Sequence, residues 1–192
     1  MGKLKAFIFD VDGTLADTER GGHLVACNEA FARMGFDICW SWEEFKELLK
    51  IPGNARRMQL ALSTRTSLSE TEIDRIVPEL FELKKELYLK RVDGLSLYPG
   101  VARIIHEAID RGVRLAIVSV THEDQIFALL KALIPEALDA FNPIFGQQSG
   151  KKDSALYARC AAMLGCDASE VLVIEDSEKG FKAAHEAGLP CV

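Results

Sequence analysis

The chain has 192 residues, 48% of them hydrophobic and 27% charged, the balance of a folded globular protein, which excludes gross disorder. Its 29 Asp and Glu outweigh 23 Lys and Arg, and a net charge of -6 argues against nucleic acid as a partner, because phosphate backbones need a basic footprint. No apolar run approaches the roughly 18 residues of a membrane helix, so no membrane partner is expected.

The chain length fits one domain or a small two-domain unit. Lys5 to Phe9 is a short apolar run ending in Asp10, too brief for a signal-peptide core. From about Thr18 to Val92 no strand pattern occurs. Leu24, Cys27, Phe31 and Met34 form one helical stripe. Phe45, Leu48 and Leu49 mark a second helix, and Ile73, Val77, Leu80 and Leu87 a third. Gly94 and Pro99-Gly100 look like the return from this insert. Beyond it, helical patterns alternate with apolar runs. Val101 to Ile109 is a helix, Val113 to Val118 a strand, and Ile126 to Ile134 a helix that Pro135 stops. Phe141 to Phe145 is a weaker strand. Leu156 to Leu164 is a helix closed by Gly165, Val171 to Ile174 a strand, and 177–187 a helix closed by Gly188. Leu189 to Val192 is a last strand candidate. It coincides with the end of the sequence, where a complete sheet of this kind usually continues, so the C-terminus is read as truncated. The fold class is therefore α/β. Residues 1–17 and 93–192 form a doubly wound, Rossmann-like parallel sheet, and 18–92 form an inserted all-helical domain. The five cysteines, Cys27, Cys39, Cys160, Cys166 and Cys191, include no CxxC pair and read as free thiols of a cytoplasmic protein.

The strongest chemical signal is Asp10-Val11-Asp12-Gly13-Thr14, directly after the first strand. Alternation turns both carboxylates the same way at the sheet's carboxyl edge, where open α/β sheets hold ligands. Taken alone, the Asp-Gly pair could also merely end a strand. Glu175-Asp176 ends another buried strand. Were the two strands neighbours, four carboxylates would converge, each pair at about 4 Å repelling by about 4 kcal/mol at an effective dielectric of 20. Such a cluster suits a hard cation that keeps several waters, namely Mg²⁺. Ser119 ends the Val113 to Val118 strand, with Thr121 two residues on, and either hydroxyl could hold a phosphate oxygen. Lys151 and Lys152 follow Gly150 at the start of a helix, and an ammonium there suits a phosphoryl group.

In this order the four elements resemble the haloacid dehalogenase superfamily of phosphohydrolases. Asp10-Val11-Asp12-Gly13-Thr14-Leu15 matches its first motif, Ser119 the second, Lys151 the third and Glu175-Asp176 the fourth. Relatives carry K-P-x-P-D-x-[FY] at the third motif. Counting back from Tyr157 gives Lys151, with Lys152 the alternative because both prolines are absent. The resemblance implies that Asp10 attacks phosphorus and that Asp12 serves as acid and then base. Ser119 and Lys151 would hold the phosphoryl group, and Asp10, Asp12, Glu175 and Asp176 would carry Mg²⁺, Asp12 through its carbonyl. It also makes 18–92 a helical cap of the C1 type, hinged near 16–18 and 94–100 and closing over the site.

Asp17-Thr18-Glu19-Arg20-Gly21-Gly22-His23 is similar to the branch that holds β-phosphoglucomutase and the CbbY-type phosphatases. There a G-G-K-x-R clamp aligns with Gly53-Asn54-Ala55-Arg56-Arg57, which keeps Arg57 and replaces the lysine with Ala55. Thr14, Asp17, His23, Arg57, Val120 and Thr121 are the candidate substrate contacts. The expected activity is that of a monomeric, Mg²⁺-dependent phosphatase of a small phosphorylated metabolite, a sugar phosphate. The rivals are a phosphomutase and an idle binding protein that kept the fold.

Overall fold

The computed structural model describes residues 3–51 and 53–192, and these form two compact units. One unit is 1–17 with 95–192, and the other is 18–94.

The first unit is built on a parallel sheet. Its strands are β1 (Ala6–Phe9), β2 (Arg114–Val118), β3 (Phe141–Phe145) and β4 (Val171–Ile174), in the order β3-β2-β1-β4. Ala6, Ile8, Ala116 and Val118 turn to one face, where they pack with Leu156, Tyr157, Cys160 and Leu164. Helices cover the sheet, so the strands read as continuous apolar runs rather than alternating ones. The terminal residues lie alongside β4: the Val173 amide donates to Pro190, and the Val192 amide to Val173. The register places Phe9 abreast of both Ile117 and Ile174. Asp10 and Glu175, each the next residue, therefore emerge together at the carboxyl edge, with Ser119 one step further along its strand.

The second unit is helical, as its lack of strand periodicity requires. A π-helical turn (Glu19–Leu24) leads into α1 (Val25–Arg33), followed by α2 (Trp42–Leu48), α3 (Asn54–Arg65) and α4 (Glu70–Leu89). Ser41 with Glu44, and Ser69 with Glu72, form reciprocal capping boxes that satisfy the first amides of α2 and α4. Helices α1 and α3 both pack on α4, and Phe31 meets Trp40 edge to face at 5.0 Å.

The chain then returns to the sheet through α5 (Val101–Asp110), α6 (Glu123–Leu133), α7 (Ser154–Leu164) and α8 (Glu178–Glu186). Ile109, placed in the apolar stripe of α5 from its spacing, is 39% exposed, while Ile105 and Ala108 carry the packing. No helix among the described residues is long and apolar enough to cross a membrane.

Candidate active site

Four loops at the carboxyl edge of the sheet deliver the polar residues. The loop after β1 closes on itself: the amides of Thr14 and Leu15 both donate to the Val11 carbonyl. Gly13 has a φ of +81, and a Cβ there would lie 2.3 Å from Asp176 Oδ2. Only glycine gives both the turn and room for that carboxylate. Thr14 donates its hydroxyl to Asp176 Oδ1 at 3.3 Å. It therefore supports a candidate metal ligand, where the sequence suggested a substrate contact.

Asp10, Glu175 and Asp176 each offer a carboxylate oxygen, and the three oxygens lie within 4.8 Å of one another. Glu175 sits against the first turn of α8. A Cβ on Gly180 would come within 2.1 Å of it, so the absence of a side chain at 180 makes its seat. Ser177, the N-cap of α8, donates to Glu175 Oε1 from its amide at 3.1 Å and its hydroxyl at 2.8 Å. Tyr157 donates its hydroxyl to Oε2 at 2.8 Å.

Of the two lysines left open by the sequence, the structure brings Lys152, and not Lys151, to the carboxylates. Lys152 is 7% exposed and its Nζ lies 2.6 Å from both Asp10 Oδ1 and Glu175 Oε2, whereas Lys151 is exposed. The cause is local. Asp153 caps α7, accepting from the amides of Ala155 and Leu156, so the residue immediately before the cap is the one held at the sheet edge. The lysine therefore stands one residue closer to Tyr157 than in K-P-x-P-D-x-[FY].

Burial pushes the Asp10 carboxyl up to about 7; Lys152 pulls it down, while Glu175 and Asp12 add to the rise. Burial likewise raises Asp176, with Glu175 contributing. On Lys152, burial works against the charge but the carboxylates of Asp10 and Glu175 prevail, and its pKa is raised. Burial, then the adjacent Glu175, raises Tyr157, so its hydroxyl keeps its proton and serves as a donor. The net excess of carboxylate over ammonium, with only hard oxygen donors, fits a divalent cation such as Mg²⁺.

Ser119 is buried at the end of β2, and its Oγ accepts from the Thr121 amide at 3.2 Å. Thr121 donates its hydroxyl to Asp12 Oδ2, so it holds a carboxylate rather than presenting itself to a substrate oxygen. Val120 is 57% exposed and Asp17 is exposed.

The two candidates in the helical unit, His23 and Arg57, are both buried. His23 is 3% exposed, stacks on Tyr88 at 4.3 Å, and lies 2.8 Å through Nδ1 from the buried Lys84. Arg57 donates Nε to the Ile51 carbonyl at 2.8 Å and also reaches Asn54 Oδ1 and the Leu49 carbonyl. Its guanidinium braces the segment that leads into α3.

The sequence profile of haloacid dehalogenase-like hydrolases matches residues 7–192, and the chain belongs to that family. Within it, the chain falls in the CbbY-like branch. It is 37% identical to Protein CbbY of Rhodobacter capsulatus over 99% of this chain and 85% of that protein. It is 33% identical to a CBBY-like protein of Arabidopsis thaliana over 97% of this chain, and spans 62% of that relative's length. The crystal structure of CbbY from Rhodobacter sphaeroides with phosphate superposes with a TM-score of 0.84 at 31% identity, covering 98% of this chain and 84% of that one. A mutant CbbY from the same organism was solved with xylulose-(1,5)bisphosphate.

Proposed function

We propose that the protein is a Mg²⁺-dependent phosphatase that releases phosphate from a small phosphorylated metabolite, a sugar monophosphate, through a phosphorylated Asp10. The observation that carries this reading is Lys152 bridging Asp10 and Glu175 beside Asp176 at the carboxyl edge of the sheet. Asp10, Glu175 and Asp176, with the Asp12 backbone carbonyl, would hold Mg²⁺. When bound, the ion supplies positive charge to the transferring phosphoryl oxygens.

Asp10 attacks phosphorus with a carboxylate oxygen, and the bond from phosphorus to the sugar oxygen breaks. Asp12 gives its proton to that leaving oxygen. It then takes a proton from the water that attacks the aspartyl-phosphate, releasing inorganic phosphate and restoring Asp10. Lys152 and Ser119 hold the phosphoryl oxygens, so that donors stand ready where charge develops. The helical unit serves as the family's cap and contributes substrate selection. Five free cysteines suit a reducing compartment, which we read as the cytoplasm.

Water is favoured over a sugar hydroxyl as acceptor. A mutase must grip a second phosphate as firmly as the first. Here Ala55 stands where relatives carry the clamp lysine, and Arg57 is engaged with backbone carbonyls. Glu123 and Asp124 follow the second motif and would repel a distal phosphate, although Glu123 is also tied to the Gly146 amide and the Ser149 hydroxyl. A panel of sugar phosphates assayed for phosphate should show Mg²⁺-dependent release matching substrate loss. Conversion of β-glucose 1-phosphate to glucose 6-phosphate faster than phosphate release would contradict the proposal.

The Thr121–Asp12 hydrogen bond yields a separate prediction. Thr121→Val keeps the side-chain shape and removes the donor that orients Asp12. Turnover of alkyl phosphates, whose leaving oxygen needs a proton, should fall about tenfold, a fraction of what a general acid contributes. Turnover of p-nitrophenyl phosphate, whose leaving group departs as an anion, should fall less than about twofold. An equal loss on both substrates would show that Thr121 does not act through proton transfer from Asp12 to the leaving oxygen.

A further inference from the structure

Glu175 is held from three directions. Oε1 accepts from the Ser177 amide and hydroxyl, and Oε2 accepts from Lys152 and from Tyr157. A carboxylate offers about four acceptor sites, so a cation held by Glu175 would take the place of one of these donors, and the others would set the plane of the carboxylate. Three of the donations come from residues whose place the site already explains: Lys152 also bridges to Asp10, and Ser177 caps α8. The fourth does not follow from packing. Tyr157 is fully buried on the face of α7 that covers the sheet, among Ala6, Ile8, Cys160, Leu164 and Val173. A phenylalanine would fill that apolar space equally well, and the third-motif pattern K-P-x-P-D-x-[FY] accommodates either ring. A buried hydroxyl costs free energy unless it is paired, and here its partner is Glu175.

We propose that Tyr157 is a positioning residue of the metal centre, fixing the Glu175 carboxylate through its hydroxyl and thereby sharpening the site for a small cation with strict geometry. The inference rests on the Mg²⁺ reading given above. Outer partners that hold a ligand in place commonly account for 10- to 100-fold in metal affinity. Mg²⁺ demands near-octahedral geometry, whereas Ca²⁺ accepts irregular and larger coordination. Loosening one carboxylate should therefore penalise Mg²⁺ selectively, which a general loss of packing would not do.

The test is calorimetric titration of the substrate-free protein with MgCl₂ and with CaCl₂, on the parent and on Tyr157→Phe, after thermal melts in EDTA establish that both are folded. Tyr157→Phe should weaken Mg²⁺ binding about tenfold and Ca²⁺ binding less than about twofold. Glu175→Asp supplies the second arm, because its shorter carboxylate retracts from the hydroxyl. Adding Tyr157→Phe to Glu175→Asp should change Mg²⁺ affinity less than about twofold, the mark of two residues acting through one contact. Unchanged Mg²⁺ affinity in Tyr157→Phe, equal losses for both ions, or the same tenfold loss in the Glu175→Asp background would each overturn the role of Tyr157 while leaving the phosphatase reading intact. Failure of the parent protein to bind Mg²⁺ would overturn the metal reading and this inference with it.

Discussion

Asp10→Asn is expected to abolish turnover, by at least about 10⁴-fold in kcat, the scale seen when an enzyme loses its nucleophile. The reasoning begins with chemistry. An amide oxygen is a far weaker nucleophile than a carboxylate, and it cannot form an acyl phosphate that water then resolves. Position adds to this. Asp10 is 5% exposed, continues β1 directly, and donates its amide to the Ile174 carbonyl at 2.9 Å, so the sheet fixes its place. Substitution should leave the fold intact, because asparagine matches the shape and relieves crowding among carboxylates. Phosphate release by the purified variant, with circular dichroism as the folding check, measures the effect. Substantial activity in the variant would remove Asp10 from the reaction.

The next largest effect is expected at Lys152. Lys152→Met preserves length and removes the charge that bridges Asp10 and Glu175. A lost donor to a developing oxyanion costs about 10²–10³ in kcat, and we expect a loss in that range. A second effect follows from the pKa of Asp10. Burial already raises this group to about 7 and Lys152 opposes the rise, so without the ammonium Asp10 titrates higher. Asp10 must be ionised to attack, so the acid limb of the rate profile should move to higher pH. Lys151→Met should leave both kcat and the profile unchanged, because that side chain is exposed. A loss in Lys151→Met matching that in Lys152→Met would reverse the assignment. Thermal melts accompany both, since breaking a buried pair can cost 3–5 kcal/mol.

The sheet and its carboxylates were legible in the sequence because both depend on local pattern. Short apolar runs ending in Asp10, Ser119 and Glu175-Asp176 state where strands stop, and strand ends are where an α/β sheet gathers its chemistry. The pairing of β1 with β4, which joins the two carboxylate sets, is a long-range fact that no run of residues encodes. The sequence leaves Lys151 and Lys152 as alternatives for a different reason. With both prolines gone, only the capping role of Asp153 fixes the start of α7, and a count back from Tyr157 ignores it. Helix α3 went unread because its buried side chains are few and one of them is Arg57. His23 and Arg57 are buried although polar residues usually face water. Yet a signal for a polar interior was present: Lys84 falls on the stripe of Ile73, Leu80 and Leu87 in α4, the positions that are buried. A lysine at a core position of a helix needs a partner, and His23 is close to it. The hydroxyl of Tyr157 had no sequence signature at all, since its meaning depends on where Glu175 lies.

The most direct test is to quench the protein with acid during turnover of a sugar phosphate, reduce it with borohydride, and map it by peptide mass spectrometry. Borohydride converts an aspartyl-phosphate to homoserine and leaves free aspartate alone. Homoserine at position 10 in the sample turned over with Mg²⁺, and none there in a parallel sample held in EDTA, is the predicted result. Phosphate release with position 10 unmodified, or undiminished release in EDTA, would contradict the account.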